Sequence, residues 1–99
     1  MTSLFEEVEI GRIPMRNRIV RSATWEGMCE KDGGPTERLL ALYEGLAEGG
    51  VGLVITGYAY VRPDGKQAQG KLGICDDSLV TGLRRASRRV HDRGGRIVA

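Results

Sequence analysis

Ser22-Ala23-Thr24-Trp25-Glu26-Gly27 places two hydroxyls, an indole and a carboxylate directly after Arg18-Ile19-Val20-Arg21, a run that reads as a strand. Small residues at a strand end let a flat ligand approach the backbone. The carboxyl ends of parallel barrel strands are where pockets form. Tyr58 and Tyr60 alternate after a second apolar run, so one faces such a pocket and the other packs outward. The remaining candidates for chemistry are sparse. Cys29 and Cys75 lie far apart, form no Cys-x-x-Cys pair and read as free thiols in a reducing compartment. Cys29 stands near Asp32 and Gly33 without a base, and reads as inert. His91, with no His/Cys cluster around it, offers no metal site. Near a helix C-terminus its imidazole suits the dipole.

Composition sets the frame. Ninety-nine residues, 40% hydrophobic and 28% charged, make one ordinary globular domain or a piece of a larger one. A net charge of +2 implies no acidic partner. Arg84, Arg85, Arg88, Arg89 and Arg93 run along one predicted helix without interleaved aromatics, so they read as a solvated outer face, not as a nucleic-acid surface. No apolar run approaches the length of a membrane span. The start, Met1 to Glu7, lacks a signal peptide's basic end and apolar stretch, which predicts a cytoplasmic location.

Leu4 to Met15 reads as a short antiparallel preface turning at Gly11-Arg12, with Pro14 marking an edge or a cap over one end of the fold. Arg18 to Ala23 is the first main strand, and Gly27 to Pro35 a turn-rich loop. Thr36 caps a helix running to Glu48, with Leu39, Leu42, Tyr43, Leu46 and Ala47 on its apolar face. Val51 to Thr56 is a buried parallel strand, followed by a long loop from Tyr58 to Cys75. Asp76, Asp77 and Ser78 favour the start of a second helix, whose face is Leu79, Val80, Leu83, Ala86 and Val90. Arg96 to Ala99 opens a third strand. Glu48-Gly49-Gly50-Val51 and Arg93-Gly94-Gly95-Arg96 repeat one device, a helix stop feeding a buried strand.

The fold class is therefore α/β. The repeat does not separate a closed barrel from an open sheet, although no Gly-x-Gly-x-x-Gly follows the first strand to support a dinucleotide-binding sheet. An eight-unit barrel needs about 250 residues. Three strands and two helices predict that residues 1–99 are an incomplete single domain, the amino-terminal portion of a longer (βα)8 TIM barrel. Leu53, Ile55, Ile19 and Ile97, or their neighbours, are expected to face its interior. An unpaired strand edge predicts a homo-oligomer.

The chain also resembles the old yellow enzyme family of flavin-dependent oxidoreductases. The likeness rests on Leu4-Phe5-Glu6, Ile10-Gly11, Asn17-Arg18-Ile19-Val20 and Leu46 through Gly57, then Gly73-Ile74 before Asp76-Asp77 and Val90-His91 before Gly94-Gly95. Single pieces are generic; together, in order and spacing, they are specific. The resemblance implies FMN across the barrel mouth, contacted by Ala23, Thr24 and Trp25 and by Tyr58 and Ala59. Many members carry Pro in place of Ala23, and Thr or Cys, which tunes the flavin's potential, in place of Trp25. Tyr58 stands where Gly or Ala is frequent. Trp25 is read as stacking near the flavin in preference to sealing the barrel top; Thr24 either serves the flavin or bonds its own loop.

The family's next flavin ligand, a glutamine, would fall beyond Ala99, as would its substrate-binding, proton-donating and phosphate-gripping residues. No catalytic or metal-binding residue is assigned within the chain. The implied activity is transfer of hydride from NADH or NADPH, through FMN, to a small electron-poor substrate such as an activated alkene, with this portion inactive alone. The competing reading is a non-catalytic, self-associating structural module. No nucleic-acid or membrane partner is expected.

Overall fold

The computed structural model describes residues 3–99. In chain order its elements are β1 (Val8–Ile10), β2 (Ile13–Met15), β3 (Val20–Arg21), α1 (Glu37–Glu48), β4 (Leu53–Ile55), β5 (Ala59–Tyr60), β6 (Leu72–Gly73), α2 (Val80–Asp92) and β7 (Arg96–Val98). β1 and β2 form an antiparallel hairpin, with Val8 opposite Met15 and Ile10 opposite Ile13. Its two-residue turn falls at Gly11-Arg12 as expected, with Gly11 at φ +60°. Pro14 sits in this two-stranded ribbon, where its missing N–H deprives no further strand.

The main sheet is parallel, in the order β3-β4-β7. The first strand is shorter than predicted: only Val20 and Arg21 pair in register, although the Ile19 carbonyl still accepts from Gly52 and Leu53. Register puts Arg21, Val54 and Ile97 on one face, and Val54 packs into the core formed by the helices. Ile97 packs against that same core. Of Ile97 and its neighbours, it is therefore Val98, paired with Ile55, that takes the opposite side.

α1 starts where Thr36 predicts. The Thr36 hydroxyl accepts from the Leu39 amide at 3.2 Å and donates to the Met28 carbonyl, tying the preceding loop to the helix. Its buried residues are Leu39, Leu40, Tyr43 and Ala47, whereas Leu42 and Leu46 are half-buried. α1 is covered by both sheet and α2, which brings Leu40 inside. α2 is preceded by a 3-10 turn at Asp77–Leu79. The expected side-chain cap is not made: the Leu79 amide donates to the Asp76 main-chain carbonyl, while Ser78 Oγ donates to the Asp76 carboxylate at 2.8 Å. Val80 is exposed, and Leu79, Ala86 and Val90 carry the packing.

The arginine run is not simply a solvated face. Arg85, Arg89 and Arg93, spaced four apart, lie on one stripe of α2. Arg85 and Arg89 pair with Glu37, and Arg89 and Arg93 pair with Glu44, at 2.7–3.1 Å. Matching order along both helices means that α1 and α2 run parallel. The long loop also holds more than predicted. β5 and β6 pair in parallel within it, Ala59 with Leu72 and Tyr60 with Gly73. Among the described residues no helix is long and apolar enough to cross a membrane.

At the amino end of the sheet, the Arg16 guanidinium donates to the carbonyls of Ala47, Val51 and Arg93. Beside it, Asn17 Nδ2 donates to the Gly50 carbonyl at 2.5 Å, and its Oδ1 accepts from the Ile19 amide at 3.0 Å. Arg16→Met strands the carbonyls of Ala47, Val51 and Arg93 and is expected to cost about 3 kcal/mol, read as a fall in the protein's denaturation midpoint. Arg89 and Arg93 hold the Glu44 carboxyl below its ordinary value of 4.5. A depressed carboxylate stabilises the fold above its unfolded pKa, and this is lost as pH falls through the folded value. Wild type is therefore expected to exceed Glu44→Gln in stability above about pH 4.5 and to converge with it below, in melts across pH.

Candidate functional site at the strand tips

The carboxyl ends of β3 and β4 meet where backbone touches backbone. A Cβ built on Gly57 would lie 2.6 Å from the Thr24 carbonyl oxygen. Gly57 thus lets the segment after β4 press against the tip of β3. Just under this contact Arg21 Nη1 donates to Glu26 Oε2 at 2.7 Å, with the Glu26 side chain 8% exposed. A pair so far withdrawn from water holds only if geometry is kept, so it pins the turn that carries Thr24 and Trp25. Tyr43 lies deeper. Its hydroxyl is buried without a hydrogen-bond partner among the described residues. Burial, reinforced by the Glu26 charge, pushes its phenol up to about 12, so it stays protonated at neutral pH.

Ala23, Thr24 and Trp25 emerge exposed beyond β3. The Thr24 hydroxyl donates to the Ser22 carbonyl of its own loop at 3.1 Å. Trp25 is 56% exposed, and so is 48% of Tyr58. Tyr60 is 4% exposed and donates its hydroxyl to the Asp32 carbonyl at 3.1 Å. Of the two alternating tyrosines, Tyr58 is therefore the exposed one and Tyr60 the packed one. Ala59 is half-buried within β5.

Trp25 and Tyr58 are brought together through a residue the sequence did not mark. The Lys71 ammonium lies 4.9 Å from the Trp25 ring centroid and 5.3 Å from that of Tyr58. Such cation–π contacts are attractive because the ring face is negative. Lys71 sat in an unstructured-looking loop, with no local pattern to single it out. The Arg21–Glu26 pair was also missed, although opposite charges five residues apart across a strand-ending turn were its available signal.

The other candidates do little here. Cys29 and Cys75 are free thiols. Burial first, then the charges of Glu26 and Glu30, push the Cys29 thiol up to about 11, which makes it a poor nucleophile at neutral pH. His91 is exposed on the last turn of α2, at the opposite end of the sheet from these tips. Among the described residues no group of acidic, His or Cys side chains could hold a metal ion.

Residues 3–99 match the NADH:flavin oxidoreductase / NADH oxidase family. The chain belongs to that family. It is 35% identical over 96 residues to the NADH oxidase of Thermoanaerobacter brockii, covering 96% of this chain and 15% of that protein. It is 34% identical over 92 residues to the 4,4'-dithiodibutanoate disulfide reductase of Rhodococcus erythropolis, covering 93% of this chain and 22% of that protein. Among solved structures, the old yellow enzyme from Pichia sp. AKU4542 superposes with a TM-score of 0.87 at 28% identity, covering 95% of this chain and 24% of that one. The chain therefore spans less than a quarter of each of these proteins. Within the NADH:flavin oxidoreductase family its fold is that of the opening units of a (βα)8 barrel: three parallel strands, β3, β4 and β7, with two helices between them.

The Gly57 contact gives a direct check on how the tips are held. Gly57→Ala sets a methyl against the Thr24 carbonyl. It is expected to destabilise the full-length protein by about 1–3 kcal/mol, as a lowered midpoint in chemical denaturation, with the emission of Trp25 altered in the native baseline.

Proposed function

We propose that the full-length protein is an FMN-dependent oxidoreductase and that residues 1–99 form the amino-terminal portion of its barrel. The family match over residues 3–99 carries this reading. The exposed residues that follow β3, Ala23 to Trp25, with exposed Tyr58 beyond β4, support it. Bound FMN supplies two-electron redox chemistry between NADH or NADPH as reductant and a small electron-poor acceptor, such as an activated alkene. A cytoplasmic enzyme fits the free thiols, and the enzyme is further proposed to be a homo-oligomer.

The residues present suit a planar cofactor. The residues just beyond β3 are exposed, and the Trp25 and Tyr58 rings are each about half exposed beside them. Ala23, Thr24, Trp25, Tyr58 and Ala59 are the residues that would line one wall of the flavin site. Ala23 and Ala59 leave room for the ring. Thr24 offers backbone, its hydroxyl being engaged with Ser22. Trp25 contributes an apolar face and one N–H donor. The Arg21–Glu26 pair keeps that wall in place from beneath.

Trp25 is the residue on which this reading is most exposed to test. The full-length protein is expected to purify with flavin absorbance that bleaches on addition of NADH or NADPH. Aromatic contacts of this kind contribute about 0.5–1.5 kcal/mol, so Trp25→Thr is expected to move the two-electron potential by about 10–30 mV. Flavin emission should rise in Trp25→Thr and change less in Trp25→Phe. A protein that neither carries nor takes up FMN overturns the reading. Unchanged potential and emission in both variants remove Trp25 from the site.

A further inference from the structure

Lys71 is held in place by its neighbours. Gly70, at φ +82°, approaches Gly27 so closely that a Cβ there would lie 2.9 Å from the Gly27 backbone. The Gly70 carbonyl accepts from the Cys29 amide at 3.3 Å. On its other side Lys71 leads straight into β6, where Gly73 donates to the Gly33 carbonyl and Ile74 to that of Tyr60. The backbone on both flanks is thus pinned to the loop that follows Trp25. This pinning delivers the ammonium to 4.9 Å from the Trp25 ring and 5.3 Å from the Tyr58 ring.

What this cation lacks is as informative as what it touches. An ammonium has three N–H donors. Among the described residues none of those of Lys71 meets an acceptor, and no carboxylate pairs with it. Glu26, the acid at this tip, is engaged with Arg21. Lys66, in the same loop, is different: its ammonium donates to the Lys31 carbonyl and to Gln69. Aromatic faces orient Lys71 without consuming its donors, and both rings are about half exposed. The result is an oriented cation beside two flat apolar surfaces, at the strand tips.

We infer that Lys71 anchors the carboxylate of an organic acid substrate, with Trp25 and Tyr58 flanking the acid's apolar body. The inference rests on the flavin-enzyme reading and narrows its substrate to small molecules bearing a carboxylate. A charge-assisted hydrogen bond to a carboxylate is among the stronger polar contacts, and an ammonium that stays partly desolvated between rings strengthens it. Lys71 binds and orients; no bond to it forms or breaks.

The test uses the full-length protein and two probes of one shape, benzoate and benzamide, titrated by calorimetry. Wild type is expected to bind benzoate more tightly than benzamide. Lys71→Met should weaken benzoate by about tenfold, the loss of one charge-assisted contact, and leave benzamide within about twofold. Lys71→Arg should keep most of the benzoate affinity. Benzamide binding serves as the check that each variant is folded. Absence of benzoate binding in wild type overturns the inference, as does equal weakening of both probes. A shift in flavin potential in Lys71→Met with unchanged benzoate affinity also overturns it, because the cation then serves the cofactor. Flavin content is read separately by absorbance, so a flavin-free protein condemns the enzyme reading and not the anchoring role of Lys71.

Discussion

The Arg16 guanidinium is the point at which the structure is gathered. It reaches the carbonyl of Ala47 in the last turn of α1, that of Val51 just before β4, and that of Arg93 where α2 ends. Helix ends leave carbonyls without intrahelical partners and carry partial negative charge. One delocalised cation with several donors answers both problems at two helices together. Asn17 completes the bracket by bonding the Gly50 carbonyl and the Ile19 amide. Gly52 must lack a side chain, because a Cβ there would meet the Asn17 oxygen at 2.5 Å. Both helices are thereby returned to the sheet at the same level, and the opposite tips of β3 and β4 come into line.

Above that bracket, the helices are joined by charge as well as by packing. Leu39, Leu40, Tyr43, Ala47, Ala86 and Val90 form the core against Val54. The Glu37 and Glu44 carboxylates run alongside, taking Arg85, Arg89 and Arg93 in order. Exposed pairs one at a time add little to stability. Their linkage, with Arg89 shared between both acids, does more to set the parallel register of α1 and α2 than any single pair would. That register positions the loops leaving the sheet.

The two ends of the sheet are built on different terms. The amino end is tied by half-buried Arg16 and buried Asn17 through specific main-chain partners. At the carboxyl end there is close backbone contact at Gly57, a withdrawn Arg21–Glu26 pair, and exposed rings beyond them. Such a division, a tied base under more exposed strand ends, matches the general layout of (βα)8 barrels. It also explains the excursion between β4 and α2. Its two short strands, β5 and β6, return the chain to the loop after β3 and lay Lys71 beside Trp25.

The sequence alone determined the parts whose physics is local. Thr36 and Gly49-Gly50 bounded α1, Gly11-Arg12 turned the hairpin, and apolar runs after paired glycines marked β4 and β7. The family likeness also lay in the chain, in ordered short motifs. Tertiary structure decided what depends on partners distant in sequence. Whether Ile97 or Val98 faced the interior turned on the register with β4, since alternation is ambiguous until one face is covered. Whether the arginines of α2 were free turned on the acids of α1 lying beside them. Arg16 gave no sign of its role, because the carbonyls it satisfies belong to residues 31, 35 and 77 positions away. Lys71 was hidden for the same reason. Its meaning comes from two rings that approach it only after the loop has been pinned, and no pattern of neighbouring residues encodes that.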